Sequence, residues 1–345
     1  MVRSLLASLV LGLVMQLVGC SGPEEGPEVV VYVSADEYVA RPILDRFERD
    51  TGIRVRALYD TEATKTTGLV SRIRAERNRP QADLFWSSEC FRMIELQQDG
   101  LLGRFPPASL ERMNLEVPDA WCSSTGSWVA FAPRARVLVY APDRLDPGAL
   151  PRGWEALADP EWADRVAMAD PRFGTTAGHF GAMHVAWGED RFTDWIAGLA
   201  RNRTAVLGSG NAGVVEGVAS GEYDLGMTDT DDVWAARSRG LGVELVYLRH
   251  EAEPAPRAGT LLIPNTVGLV SGGANPESAR FLAEWLASAD VERLLMESPS
   301  RNIPLRLDPG ELAVEDPLQV DLEAAAAQLG PALDLAANGG LVGSG

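Results

Sequence analysis

Two hydrophobic periodicities alternate along most of the chain. Residues 29–33 are an unbroken run of β-branched and aromatic positions, the pattern of a strand buried on both faces. Residues 35–50 follow with Val39, Ile43, Leu44 and Phe47 on one helical face, and Gly52 stands at the C′ position. The same unit recurs. A strand is predicted over 53–59, a helix over 69–75 that stops before Pro80, a strand over 82–86 and a helix from Phe91 to Gly100. This βαβαβα order predicts a parallel sheet with helices on its faces.

The middle of the chain repeats the theme with different spacing. Residues 128–140 read as one long extended segment interrupted at Pro133-Arg134. Strands are predicted over 166–169, 205–207 and 224–227, and helices through 180–187, 214–219 and 231–239. Residues 260–264 and 266–270 are extended, 276–287 and 291–296 helical, and an alanine-rich helix is expected over 322–335. No internal repeat interrupts this order. The Gly-rich tail is expected to fray.

The N-terminus follows another rule. Arg3 opens an apolar run over 5–18 that closes on Leu17-Val18-Gly19-Cys20, followed by a polar stretch with two prolines. It is too short to span a bilayer comfortably and resembles a bacterial lipoprotein signal. The expected division is a signal peptide over 1–19, lipidation at Cys20 and a tether over 20–28. No later segment has the apolar length of a membrane span, so a folded body held to the membrane by lipid is expected. Export implies an oxidising compartment, in which Cys90 and Cys122 either pair or remain separate thiols.

Charge narrows the function. The chain has 345 residues and carries 31 Lys+Arg against 49 Asp+Glu, a net charge of −18. Such a surface repels phosphate backbones, so nucleic acid is not an expected partner. Lys65 is the only lysine, and its neighbours Ala63-Thr64-Lys65-Thr66 do not form a P-loop. Neither an H-E-x-x-H zinc motif nor a G-x-S-x-G nucleophile elbow is present.

In ordered sequence, several stretches carry a family resemblance: Val31-Tyr32-Val33-Ser34-Ala35-Asp36, Ala82-Asp83-Leu84-Phe85-Trp86, Arg134 to Tyr140, Asp170-Pro171-Arg172-Phe173-Gly174-Thr175-Thr176, Gly221-Glu222-Tyr223-Asp224 and Gly259 to Asn265. Together they resemble the solute-binding proteins of ABC importers (extracellular solute-binding family 1), and within them the ferric-ion-binding, transferrin-like group. The resemblance implies a type II periplasmic binding fold: two α/β lobes joined by crossing strands, with ligand in the cleft. The expected layout is lobe one over 29–132, lobe two over 133–260, a return to lobe one over 261–300, and a C-terminal helical segment and tail over 301–345. It also implies a periplasmic monomer that serves an inner-membrane permease, with no required cofactor and no enzymatic activity.

Cleft residues follow from strand ends and from this resemblance. Gly174, Thr175 and Thr176 offer donors at a helix start, where the family holds an anion that completes the metal's coordination. Arg134 or Arg136 adds charge, and Asn211 adds an amide. Where ferric-binding relatives carry adjacent tyrosines, this chain has Thr230 and Asp231, flanked by Asp229 and Asp232. Asp36 matches a metal-binding histidine of the family, with Glu37 as its alternative. Glu89 lies one residue past the position of the family's glutamate, which is Ser88 here.

Asp36, Glu89, Asp231 and Asp232 are thus the candidate metal ligands, suited to ferric iron or another hard cation as cargo. Each acid could equally cap a helix. Two other functions stay open: a small polar organic or phosphorylated ligand in the same cleft, and an acid/base hydrolase pairing Asp36 with Asp231.

Overall fold

The computed structural model describes residues 26–60, 66–250 and 259–343. The signal peptide and Cys20 lie outside these residues. In chain order the elements are β1 (Glu28–Val33), α1 (Glu37–Thr51), β2 (Arg54–Tyr59), α2 (Thr67–Ala75), β3 (Leu84–Ser87), α3 (Phe91–Gln98), α4 (Pro107–Met113) and β4 (Trp128–Tyr140). They continue with β5 (Val166–Ala169), α5 (Gly174–Trp187), α6 (Glu189–Arg201), β6 (Ala205–Leu207), α7 (Gly210–Ser220), β7 (Leu225–Asp229), α8 (Thr230–Ser238) and β8 (Glu244–Val246). The last are β9 (Leu262–Leu269), α9 (Pro276–Leu286), α10 (Ala289–Glu297), α11 (Leu322–Ala327) and α12 (Leu329–Asn338).

The strands run β2-β1-β3-β9-β4-β7-β5-β6, with β8 also on β4. Parallel pairs (β1 with β2 and β3; β5 with β6 and β7) flank two long antiparallel crossing strands, β4 and β9. This is the two-lobe arrangement of a type II binding protein. β4 changes lobes in mid-strand. Val129, Phe131 and Ala132 pack with Val31, Trp86 and Leu282 and Trp128 and Ala130 pack with Phe85 and Phe91 in the first lobe, whereas Ala135, Val137 and Val139 pack with Val214, Val218 and Val233.

The register of β4 on β9 shifts between Phe131 and Arg134. Ala132 takes φ +39 there, a conformation costly for a residue with a Cβ. The shift leaves Pro264, which has no N–H, at a gap in the ladder, so β9 runs as one strand through a proline. Glu292 accepts from Ala132 N (3.1 Å), and Asn265 Nδ2 donates to Ala132 O (2.6 Å), so the kink is pinned from both sides.

Some elements differ from the sequence expectation. The alanine-rich helix is two helices, because Pro331 cannot donate to residue 327 and is tolerated only in the first turn of α12. α6 was not expected, although Phe192, Trp195, Ile196 and Leu199 form an apolar stripe that is buried. Cys90 and Cys122 are separate thiols, Cys90 buried at the start of α3. Between the lobes, a Cβ on Gly178 would stand 2.1 Å from the Phe91 ring. That glycine lets α5 close onto α3 and brings its N-terminal turn over the first lobe.

Candidate functional site

Loops at the carboxyl ends of parallel strands converge where the lobes meet, the place where open α/β sheets bind ligands. The loop after β1 carries Ser34 to Asp36, and that after β3 carries Ser87 to Glu89. On the other lobe, the turn after β5 leads through Asp170 to α5, β6 leads to Asn211 at the start of α7, and β7 leads into α8. Asp170 shapes its turn by accepting from Arg172 N (2.9 Å), and Gly174 (φ +55) opens α5.

Two chambers form at this junction, with Asp232 in the wall of both. The inner one is lined by Ser88, Arg134, Gly174, Thr175, Thr176 and Asn211, among others. Behind it lies a closed polar network. Arg136 and Asp229 sit opposite each other on β4 and β7, and Arg136 Nη1 donates to Asp229 Oδ1 at 2.8 Å. The Thr175 hydroxyl donates to Asp229 Oδ2, and Asn211 Nδ2 donates both to that oxygen (2.8 Å) and to Thr175 Oγ1 (2.9 Å).

Arg134, two residues earlier on β4, pairs with Asp231 at 3.1 Å and reaches Asn265 Oδ1 at 3.5 Å. Burial works against its charge, but Asp231, Asp229, Asp232 and Asp36 outweigh burial and raise its pKa. Arg134 Nε, Arg136 Nε and Nη2, and Thr176 Oγ1 are buried without a partner among the described residues. Of these, Arg134 and Thr176 line the inner chamber and, with the first turn of α5, give it unsatisfied donors, a setting for an anion.

The outer chamber faces Asp36, Glu37, Tyr38, Arg41 and Asp60 of one lobe against Ala212, Asp232, Ala235 and Arg239 of the other. Its acids outnumber its arginines. Glu37 is exposed and ion-paired to Arg41. Asp229, Asp231 and Asp232 bring carboxylate oxygens within 4.8 Å of one another, but the first two are engaged by arginines. Tyr38 has its hydroxyl 3.3 Å from Ser300 Oγ. Burial, and then the charge of Asp36, holds its pKa well above the usual phenol range.

The structure thus brings Arg134, Gly174, Thr175, Thr176, Asn211 and Asp232 to the inner chamber, and Asp36, Glu37 and Asp232 to the outer one. Two residues expected in the cleft turn away from it. Glu89 is sealed from water and accepts from Phe91 N (2.5 Å) and Arg92 N (3.1 Å), so it holds the start of α3 while Ser88 lines the chamber. Thr230 Oγ1 accepts from Ala135 N (3.1 Å) and ties α8 to β4. Asp231 faces Arg134 rather than an open space. Asp229 occupies the N-cap of α8 without making a capping bond; its carboxylate serves Arg136 instead.

The model of the family described as bacterial extracellular solute-binding protein matches residues 29–298. The chain belongs to this family. It is accordingly a binding protein and not an enzyme. Its sequence is 27% identical over 286 residues to iron uptake protein A1 of Synechocystis sp., covering 80% of this chain and 75% of that one. It is 26% identical over 269 residues to a major ferric iron-binding protein of Neisseria meningitidis, covering 78% of each. Its fold matches that of iron-bound HitA from Pseudomonas aeruginosa with a TM-score of 0.78 at 23% identity, over 91% of this chain and 99% of that one.

Proposed function

We propose that this solute-binding protein captures a hard cation, ferric iron foremost, together with a small anion, and delivers it to the inner-membrane permease of an ABC importer. In this reading the chain works as a periplasmic monomer, anchored by lipid at Cys20. The observation that carries it is the pair of chambers sharing Asp232: buried donors around α5 suit an anion, and the acidic outer wall suits a cation in contact with it. The names of the Synechocystis and Neisseria relatives support iron as the metal.

Native mass spectrometry with metal analysis of the purified protein tests this directly. Iron and a small anion should be retained together and lost together on chelation.

A second reading has its own support. Arg134 Nε and Thr176 Oγ1 are buried without a partner among the described residues, so the inner chamber offers donors to a phosphate or carboxylate without a metal. A phosphorylated or otherwise anionic organic ligand would then reach outward, with its hydroxyls or amine on Asp232 and Asp36. Metal-free protein that retains such a molecule would favour this reading over iron.

A further inference from the structure

Asn265 is a buried carboxamide (2% exposed) on β9, opposite Phe131 where the register of β4 shifts. Its orientation is over-determined. Nδ2 donates to Ala132 O at 2.6 Å, an atom that can only accept. Oδ1 accepts from Trp86 Nε1 at 3.3 Å and from Arg134 Nη2 at 3.5 Å, both of which can only donate. A flipped amide would set donor against donor and acceptor against acceptor. The three partners belong to different parts of the molecule: Trp86 to the first-lobe core, Ala132 to the kink and Arg134 to the wall of the inner chamber.

Support of the kink accounts for the bond to Ala132 but not for the one from Arg134. Arg134 is held at its other terminal nitrogen, Nη1, by Asp231 at 3.1 Å. A guanidinium is planar and rigid, so contacts at both terminal nitrogens fix its plane and with it the direction of Nε. That nitrogen is buried and has no partner among the described residues. The bond from Nη2 is long, so it contributes more to direction than to stability.

We propose that Asn265, which does not line the chamber itself, is a positioning residue for anion capture: it orients Arg134 so that Nε donates into the inner chamber. The proposal rests on the anion half of the reading above.

The test is a double-mutant cycle on affinity for inorganic phosphate, measured by calorimetric titration of the whole protein at neutral pH. Asn265→Leu keeps the bulk of the side chain and should weaken phosphate binding by about tenfold, the loss of one charge-assisted hydrogen bond. Arg134→Lys keeps a charge for Asp231 but has no planar fork to orient, and should weaken phosphate by a similar factor. The double variant should bind no more weakly than Arg134→Lys alone, because Asn265 then has nothing to act through. A merely structural role for Asn265 would weaken both backgrounds by the same factor, and that result overturns the proposal. So does unchanged affinity in Asn265→Leu. If Asn265→Leu does not fold, Asn265→Thr, whose side chain is shorter and suits a strand, takes its place with the same expectations. Wild-type protein that binds no phosphate removes the proposal and the anion half of the reading together, whereas binding with additive losses removes the proposal alone.

Discussion

Arg136 and Asp229 stand directly opposite each other on β4 and β7, 2.8 Å apart, with both side chains shut off from water. Neither charge has a solvent escape, so each is tolerable only because of the other. The pair also explains why Thr175 and Asn211 are ordered: both donate to the carboxylate that holds Arg136. Asp229→Asn should therefore cost about 3–5 kcal/mol of unfolding free energy, the penalty for leaving a buried charge without its partner. The double variant Arg136→Met/Asp229→Asn should lose much less than Arg136→Met and Asp229→Asn summed. Urea denaturation of the four proteins measures this. Additive losses would mean that the pair is not a unit.

Glu89 gives a prediction on pH. Burial pushes its carboxyl up from about 4.5 to about 7, against the pull of Arg92 and the Phe91 and Arg92 amides. A raised folded value means that the native state holds a proton the unfolded chain has already released. The stability contributed is complete below pH 4.5 and is lost as pH rises through 7. Glu89→Gln keeps one acceptor for α3 and cannot ionise. It should match wild type near pH 4.5 and exceed it near pH 8 by about 3 kcal/mol, the linkage value of such a shift. Denaturant midpoints at the two pH values decide it. Equal stability at both would show that the carboxylate is fully compensated by its amide donors.

The fold was largely legible because its signals are local. Val29 to Val33 and Leu84 to Trp86 read as buried strands from their own residues, and Gly52 and Gly100 mark helix ends through backbone conformations they alone adopt cheaply. The kink of β4 announced itself at Pro133. The site was legible only as a set of loops. That Asp229 answers to Arg136 depends on the β4–β7 register, and that Glu89 turns inward depends on α3 starting at Phe91. Neither relation is local in sequence. Asp231 illustrates the limit: one acid in an acidic run looks like its neighbours until Arg134, nearly a hundred residues earlier, is placed against it.

His179 and His250 form a second buried pair, Nε2 to Nε2 at 2.7 Å, packed against the Trp154 ring. One nitrogen must donate and the other accept, so a doubly charged pair has no arrangement. Burial holds His179 well below the usual imidazole value and lowers His250 to about 4. Depressed values reverse the sign found for Glu89. The unfolded chain takes up protons first, so stability is full above about pH 6.5 and falls as pH drops toward 4. His250 alone should account for about 2 kcal/mol of loss by pH 5. In His179→Phe/His250→Phe, unfolding free energy between pH 6.5 and 5 should be flatter than in wild type. Parallel curves would remove the pair from any account of acid sensitivity.

Asp232 is the cleaner probe of cargo charge. Asp231 would seem the natural choice, since it stands in the run that matches the family's metal-binding segment. Its partnership with Arg134 confounds it: Asp231→Asn strips a buried arginine of its counter-charge and should lower stability even without ligand. Asp232 lies in the walls of both chambers and is only partly buried, and it accepts from Thr228 Oγ1 at 3.5 Å. Asp232→Asn preserves shape and that acceptor while removing one charge. Without ligand, its melting temperature should stay close to that of wild type. Affinity for ferric nitrilotriacetate should fall by about 1.5–3 kcal/mol, the value of a hydrogen-bonding partner that is charged. The second reading predicts a different pattern: an anionic organic ligand would lose affinity only to the extent that its hydroxyls or amine reach Asp232, and inorganic phosphate would bind at least as tightly once the negative neighbour is gone. Calorimetric titration with the two probes separates these cases. Unchanged iron affinity in Asp232→Asn would place the cation away from the boundary between the chambers and would end the two-chamber account of cargo binding.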